Sequence, residues 1–90
     1  MEYIEKEDGI YLYKQEEKLA EVTFEYIEKN KININHTFVD ESLRGKGIAN
    51  ELLKHLVTYM ENKNLKCIPT CVYAIKWFEK HPEKQSLIEK

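Results

Sequence analysis

The sequence predicts an α/β fold of α+β character: a mostly antiparallel sheet, one parallel β-α-β step near the end, and two helices packed on the sheet. Three observations predict it. Apolar and polar residues alternate with a period of two along residues 19–39. From Ile48 onward the apolar residues recur every four positions, which is helical spacing. A short apolar run at residues 65–69 then separates that stretch from a second one of helical spacing.

Residues 3–5 form a short first strand, and Asp8-Gly9 is a tight-turn dipeptide. Residues 10–14 form the second strand, closed by the polar Gln15-Glu16-Glu17. In the third, residues 19–27, Ala20, Val22, Phe24 and Tyr26 share one face, with Glu21, Thr23 and Glu25 on the other. Lys29-Asn30 turns the chain back. In the fourth, residues 31–39, Ile32, Ile34, His36 and Phe38 are expected on one face and Asn33, Asn35 and Thr37 opposite. Ile48, Leu52, Leu56 and Met60, with Leu53 and Val57 widening the stripe, predict an amphipathic helix over residues 47–62. Residues 65–69, interrupted by Lys66, return parallel to the fourth strand because a helix separates the two. Thr70 is expected to cap a second helix, with Ala74, Ile75, Trp77 and Phe78 on its apolar side and His81-Pro82 ending it. The last eight residues read as a turn of helix or a tail.

Ninety residues make one domain, expected over residues 1–90. A chain of this length buries about 60–65% of the surface its unfolded form exposes, so its core is adequate but thin. A net charge of −2 and a pI of about 5.9 argue against a dedicated nucleic-acid binder, which carries a basic stripe. Lys and Glu alternate instead of forming blocks, as on a solvated surface. Met1 to Glu7 is too charged for a signal peptide, and no apolar run approaches the length of a membrane span. Cys67 and Cys71 lack the companions of a four-ligand zinc site, and no secreted disulfide framework is expected without a signal sequence. The expectation is a reduced, cytoplasmic protein with no metal, no nucleic-acid partner and no membrane partner.

The segment Leu43-Arg44-Gly45-Lys46-Gly47-Ile48-Ala49 joins the fourth strand to the first helix. Glycines there let backbone N–H groups approach an anion with no Cβ in the way. The first N–H groups of a helix are unpaired, and its dipole adds positive charge. Arg44 and Lys46 add formal charge. The place suits a phosphate or diphosphate. A P-loop pattern is absent, and a dinucleotide fingerprint fails because Asn50 stands at its last position after antiparallel strands. The pattern [RQ]-x-x-G-x-[GA] fits at Arg44, Gly47 and Ala49.

On these residues, with His36-Thr37-Phe38-Val39 before the loop and Pro69-Thr70-Cys71-Val72-Tyr73 and His81-Pro82 after it, the sequence resembles the GNAT superfamily of N-acetyltransferases. It is most similar to a short, GNAT-like group within it, often labelled YjdJ-type. The resemblance covers about half the chain, and the flanking motifs make it specific. It implies a minimal GNAT fold in which Arg44, Gly45, Lys46, Gly47, Ile48 and Ala49 hold the diphosphate of acetyl-coenzyme A. It implies too that the fourth and fifth strands splay, so that the pantetheine arm pairs with backbone near Phe38 and Val39. Fuller members carry two helices between the first two strands and extra strands at the end, and those parts form the acceptor pocket. Here Asp8-Gly9 replaces the first insertion, so the acceptor does not carry over.

Acyl transfer from a thioester needs a nucleophile, stabilisation of an oxyanion and an exit for a proton. Cys71, at the first turn of a helix, is the candidate acetyl acceptor, since a helix N-terminus favours the thiolate. Its other reading is a small buried hydrophobe, which is also the reading for Cys67. His36 is either a core histidine or a base that activates Cys71 or the acceptor amine. His55 and His81 read as structural, His81 as a helix-end cap, and Tyr73 is the aromatic of the second helix with the best claim to a substrate contact. The reading is an acetyl-CoA-dependent N-acetyltransferase, a monomer or weak dimer, acting on an amine of a small molecule or protein. The alternative is a non-catalytic acyl-CoA-binding or interaction module.

Overall fold

The computed structural model describes residues 1–89. Lys90, the last position of the expected domain, lies outside the described residues. Strands β1 (Glu2–Lys6), β2 (Gly9–Lys14), β3 (Glu17–Glu28) and β4 (Lys31–Val39) run antiparallel in chain order. Helix α1 (Ile48–Lys63) crosses to β5 (Lys66–Pro69), which lies parallel beside β4. Helix α2 (Val72–Glu79) and a 3₁₀ turn (Pro82–Leu87) complete the fold. The predicted class and element order stand.

Both helices lie on one face of the sheet. The α1 side chains Leu52, Leu53, Leu56 and Met60 are fully buried against Ile10, Leu12, Val22, Ile32 and Ile34. This is the stripe that four-residue spacing requires. Trp77 of α2 donates its Nε1–H to Asn50 Oδ1 in the first turn of α1, at 2.7 Å, and so ties the two helices together. His81 closes α2 as expected: its Nδ1 lies 2.7 Å from the Trp77 carbonyl and its ring stacks on the indole at 3.8 Å. Leu56→Ala would leave a void in this thin core. It is expected to cost about 2–5 kcal/mol, read as a lower urea midpoint at unchanged slope.

Several local expectations are corrected. The first turn is Glu7-Asp8, and Gly9 already belongs to β2, paired with Lys6. Its role is space: a Cβ on Gly9 would sit 2.6 Å from the Val22 carbonyl oxygen. Thr70 does not cap α2. Its hydroxyl donates to Asn33 Oδ1 at 2.8 Å, and Cys71 itself is the N-cap residue. Ile75, assigned to the apolar side of α2, is 38% exposed.

The correction with most consequence is in β4. Thr23 pairs with His36 but Phe24 pairs with Ile34, so Asn35 is an extra, bulged residue. One extra residue exchanges the faces of everything beyond it. Ile32 and Ile34 point to the helices as predicted. Past the bulge Thr37 and Val39, opposite the buried Val22 and Ala20, take the helix side. His36 and Phe38, opposite Thr23 and Glu21, turn to the open face.

Candidate active site

The glycine loop hangs between a buried anchor and a helix start. Asp40 accepts hydrogen bonds from the Ser42 hydroxyl at 2.6 Å and the Ser42 N–H at 3.0 Å, and opens a 3₁₀ turn over Glu41–Leu43. Those bonds, the hydroxyl's first, and the nearby Arg44 charge hold its carboxyl below the usual aspartate range. Leu43 is buried and pins the turn to the core. Gly45 and Gly47 then adopt left-handed backbone, with φ of 80° and 73°. A Cβ on either would meet nothing within 4 Å, so these positions need glycine for conformation and not for room.

Gly47 is the N-cap of α1 and no side chain caps the helix. The first helical hydrogen bond runs from Glu51 N to Gly47 O, at 3.1 Å. The N–H groups of Ile48, Ala49 and Asn50 therefore have no acceptor within the helix, and the helix dipole adds to them. Arg44 and Lys46 are exposed and enter no ion pair among the described residues.

Beside the loop, the sheet forks. Pairing of β4 with β5 ends at Ile34 and Pro69. The N–H groups of Thr70 and Cys71 both donate to the Ile34 carbonyl, at 3.0 and 3.1 Å. Beyond that point β5 gives way to α2, while β4 continues to Val39 with that edge unpaired. The cleft next to the fork measures about 250 Å³ and is lined by Val39, Arg44, Gly45, Gly47, Ile48 and Ala49. Leu43, Asn50 and Tyr73 complete the wall. That is below the roughly 300–1,000 Å³ of a pocket that encloses a drug-sized ligand, so the cleft suits one part of an extended molecule. Of the residues expected around a coenzyme, Phe38 and Lys46 lie outside this wall. Phe38 is on the open face, 38% exposed, and the Lys46 side chain lines a neighbouring hollow with Lys14 and Ser42.

Cys71 sits at the fork, partly buried, with Sγ 3.3 Å from the Thr37 hydroxyl. Cys67 is fully buried, and burial pushes its thiol up to about 12. His36 and Cys71 are not brought together. The bulge aims His36 at Glu21, whose Oε2 lies 3.3 Å from Nε2, and Thr37 is the side chain that meets Cys71. The sequence reading missed Thr37, Asn50 and Glu21. A periodic strand carries no mark of the bulge that sets the faces of Thr37 and His36, and Asn50 meets Trp77 across 27 positions of the chain. Tyr73 lines the cleft and is 39% exposed, and burial of the phenol raises its pKa above the ordinary value.

Residues 9–87 match the family described as GCN5-related N-acetyl-transferase. Protein NATD1 of Xenopus tropicalis is 34% identical over 68 residues, which are 76% of this chain and 62% of that protein. Protein NATD1 of Homo sapiens is also 34% identical over 68 residues, or 60% of its length. The chain thus spans about three fifths of the length of these relatives. The NMR solution structure of a GCN5-like protein from Staphylococcus aureus superposes with a TM-score of 0.79 at 34% identity, covering 98% of this chain and 87% of that one. With the match over residues 9–87 and this superposition, the chain belongs to the GCN5-related N-acetyltransferase family.

Proposed function

We propose that the chain is an acetyl-CoA-dependent N-acetyltransferase of the cytoplasm, a monomer or weak dimer, that acetylates an amine of a small molecule or a protein. The observation that carries this reading is the loop: two left-handed glycines open the uncapped start of α1 onto a cleft beside the β4–β5 fork. The N–H groups of residues 47–50, with Arg44, suit the coenzyme's diphosphate, and Lys46 adds charge from the side. The edge of β4 left unpaired beyond Ile34, as far as Val39, offers backbone partners near Phe38 and Val39 to an extended pantetheine arm.

The coenzyme supplies an acetyl group activated as a thioester. The amine nitrogen bonds to the acetyl carbon, the carbon–sulfur bond breaks, and the sulfur leaves with the electron pair. Tyr73 lines the cleft and its phenol is protonated at neutral pH, as for any tyrosine, so in this reading its hydroxyl is the proton donor to that sulfur. Cys71 distinguishes two routes. In one its sulfur takes the acetyl group and passes it on. In the other it packs against Thr37 while the amine attacks directly.

Incubation with acetyl-CoA and no acceptor separates the routes. The relay predicts one added acetyl group by mass spectrometry, lost in Cys71→Ala and kept in Cys67→Ala. No adduct under rapid quench, with Cys71→Ala retaining most of its turnover, would leave Cys71 a packing residue. Turnover with a panel of amines tests the reading itself. Tight acetyl-CoA binding with no transfer to any amine would make the chain an acyl-CoA-binding module instead.

A further inference from the structure

We propose that two copies of this chain pair along the outer edge of β1, antiparallel and in a register centred on Ile4, as a weak two-fold dimer with one continuous sheet. The inference is independent of the transferase reading and gives the weak dimer of that reading its interface.

The edge is the open one. β1 lies at one end of the sheet, so only one side of its backbone is paired. Alternate N–H and C=O groups of Glu2–Lys6 face outward, with no strand partner among the described residues. The other end is closed. The Cys67 carbonyl of β5 takes the Glu89 N–H at 3.0 Å, beside a bridge from Cys67 to Ile88. Pro69, the last residue of β5, has no N–H to offer.

The occupant follows from the charges. Side chains alternate along β1. Tyr3 takes the helix side, where its ring stacks on His55 of α1 at 4.4 Å. Glu2, Ile4 and Lys6 therefore take the open side, where the Lys6 ammonium lies 5.3 and 5.7 Å from the ring centres of Tyr11 and Tyr13. Neither Glu2 nor Lys6 enters an ion pair among the described residues. A two-fold axis midway between two Ile4 residues sets Glu2 of each copy opposite Lys6 of the other. The two half-buried Ile4 side chains meet between those pairs.

Neighbouring registers lose this match. Centred on Glu5, the pair opposes two carboxylates, and like charges directly opposite are destabilising. Centred on Tyr3, it leaves both Lys6 ammonium groups without a partner. Charged residues ordinarily keep a strand edge from pairing, and these admit one register. That register also suits the backbone. Opposite residues of an antiparallel pair exchange both hydrogen bonds or neither. Setting Glu2 against Lys6, Tyr3 against Glu5 and Ile4 against Ile4 places outward-facing groups against outward-facing groups. A standard interface uses about 20–30 residues a side, so five residues make a weak dimer. The β4–β5 fork lies at the far end of the sheet, and both clefts stay open.

Sedimentation equilibrium up to millimolar protein makes the test. Wild type should show a monomer–dimer equilibrium. Glu2→Lys and Lys6→Glu, each alone, oppose like charges at both ends and should associate about ten-fold more weakly or less. A one-to-one mixture of the two should recover near wild-type affinity as a heterodimer, because each charge then meets its opposite. The double variant Glu2→Lys/Lys6→Glu, with the wild-type net charge, should recover it as a homodimer. Thermal melts report that each variant is folded, and amide shifts on dilution should concentrate at residues 2–6. A wild type that stays monomeric at millimolar concentration would overturn the proposal. So would single variants that associate like wild type, a mixture that does not recover, or dilution shifts centred on the exposed Val72 and Ile75 of α2. None of these measurements involves acetyl transfer, so the transferase reading stands or falls separately.

Discussion

Gly47→Val is expected to lower coenzyme A affinity about ten-fold or more, roughly 1.4 kcal/mol, in a protein that still folds. The reason lies in the backbone. Gly47 has φ of 73° and is the N-cap of α1. An L-residue in left-handed conformation costs about 1–2 kcal/mol, and a β-branched one more. No atom lies within 4 Å of the added Cβ, so the strain is not compounded by a clash with the core. It is relieved by rotation of the loop, which turns the first N–H groups of α1 away from the cleft. Calorimetry with coenzyme A, alongside a thermal melt, reads both parts. Unchanged affinity in the folded variant would remove the loop from the binding site.

Tyr73→Phe is expected to reduce the transfer rate by about 10²–10⁴-fold, the range for loss of a general acid, with coenzyme A affinity close to wild type. The ring of Tyr73 stays as part of the cleft wall, and only the hydroxyl is lost. Burial holds the phenol above its ordinary pKa, so the group is protonated below that value and its donor function falls only as pH rises through it. The alkaline limb of the wild-type rate profile should therefore weaken or vanish in the variant. A Tyr73→Phe protein with a wild-type rate would assign the proton to water. A variant with weakened coenzyme binding and an unchanged rate constant would make Tyr73 a binding contact only.

How much was legible in the sequence can be judged from β4. Its period of two was correct as far as Ile34, and there the prediction of which side chains share a face fails. A bulge adds one residue without changing composition or alternation, so the pattern Ile32-Ile34-His36-Phe38 looks unbroken on paper. The register against β3 decides otherwise, because Val22 and Ala20 must stay against the helices and draw Thr37 and Val39 to their side. The same local ambiguity moved the cap of α2 from Thr70 to Cys71. The Thr70 hydroxyl has a competing partner, Asn33, that is remote in sequence.

The sequence by itself determined the class and order of the elements, the amphipathic face of α1 and the glycine loop. Each of these depends on neighbours within a few residues: side-chain period, turn chemistry, and the freedom of Gly45 and Gly47 to take positive φ. It also carried the family motif from Arg44 to Ala49, since a turn into a helix start is built from consecutive residues. Only the tertiary structure decided which side chains meet across elements. Tyr73 reaches the loop because the Trp77–Asn50 bond docks α2 on α1. Cys71 faces Thr37, and His36 faces Glu21 on the opposite side of the sheet. Pairings between residues far apart in the chain are fixed by register and packing of the whole core, and no local pattern records them.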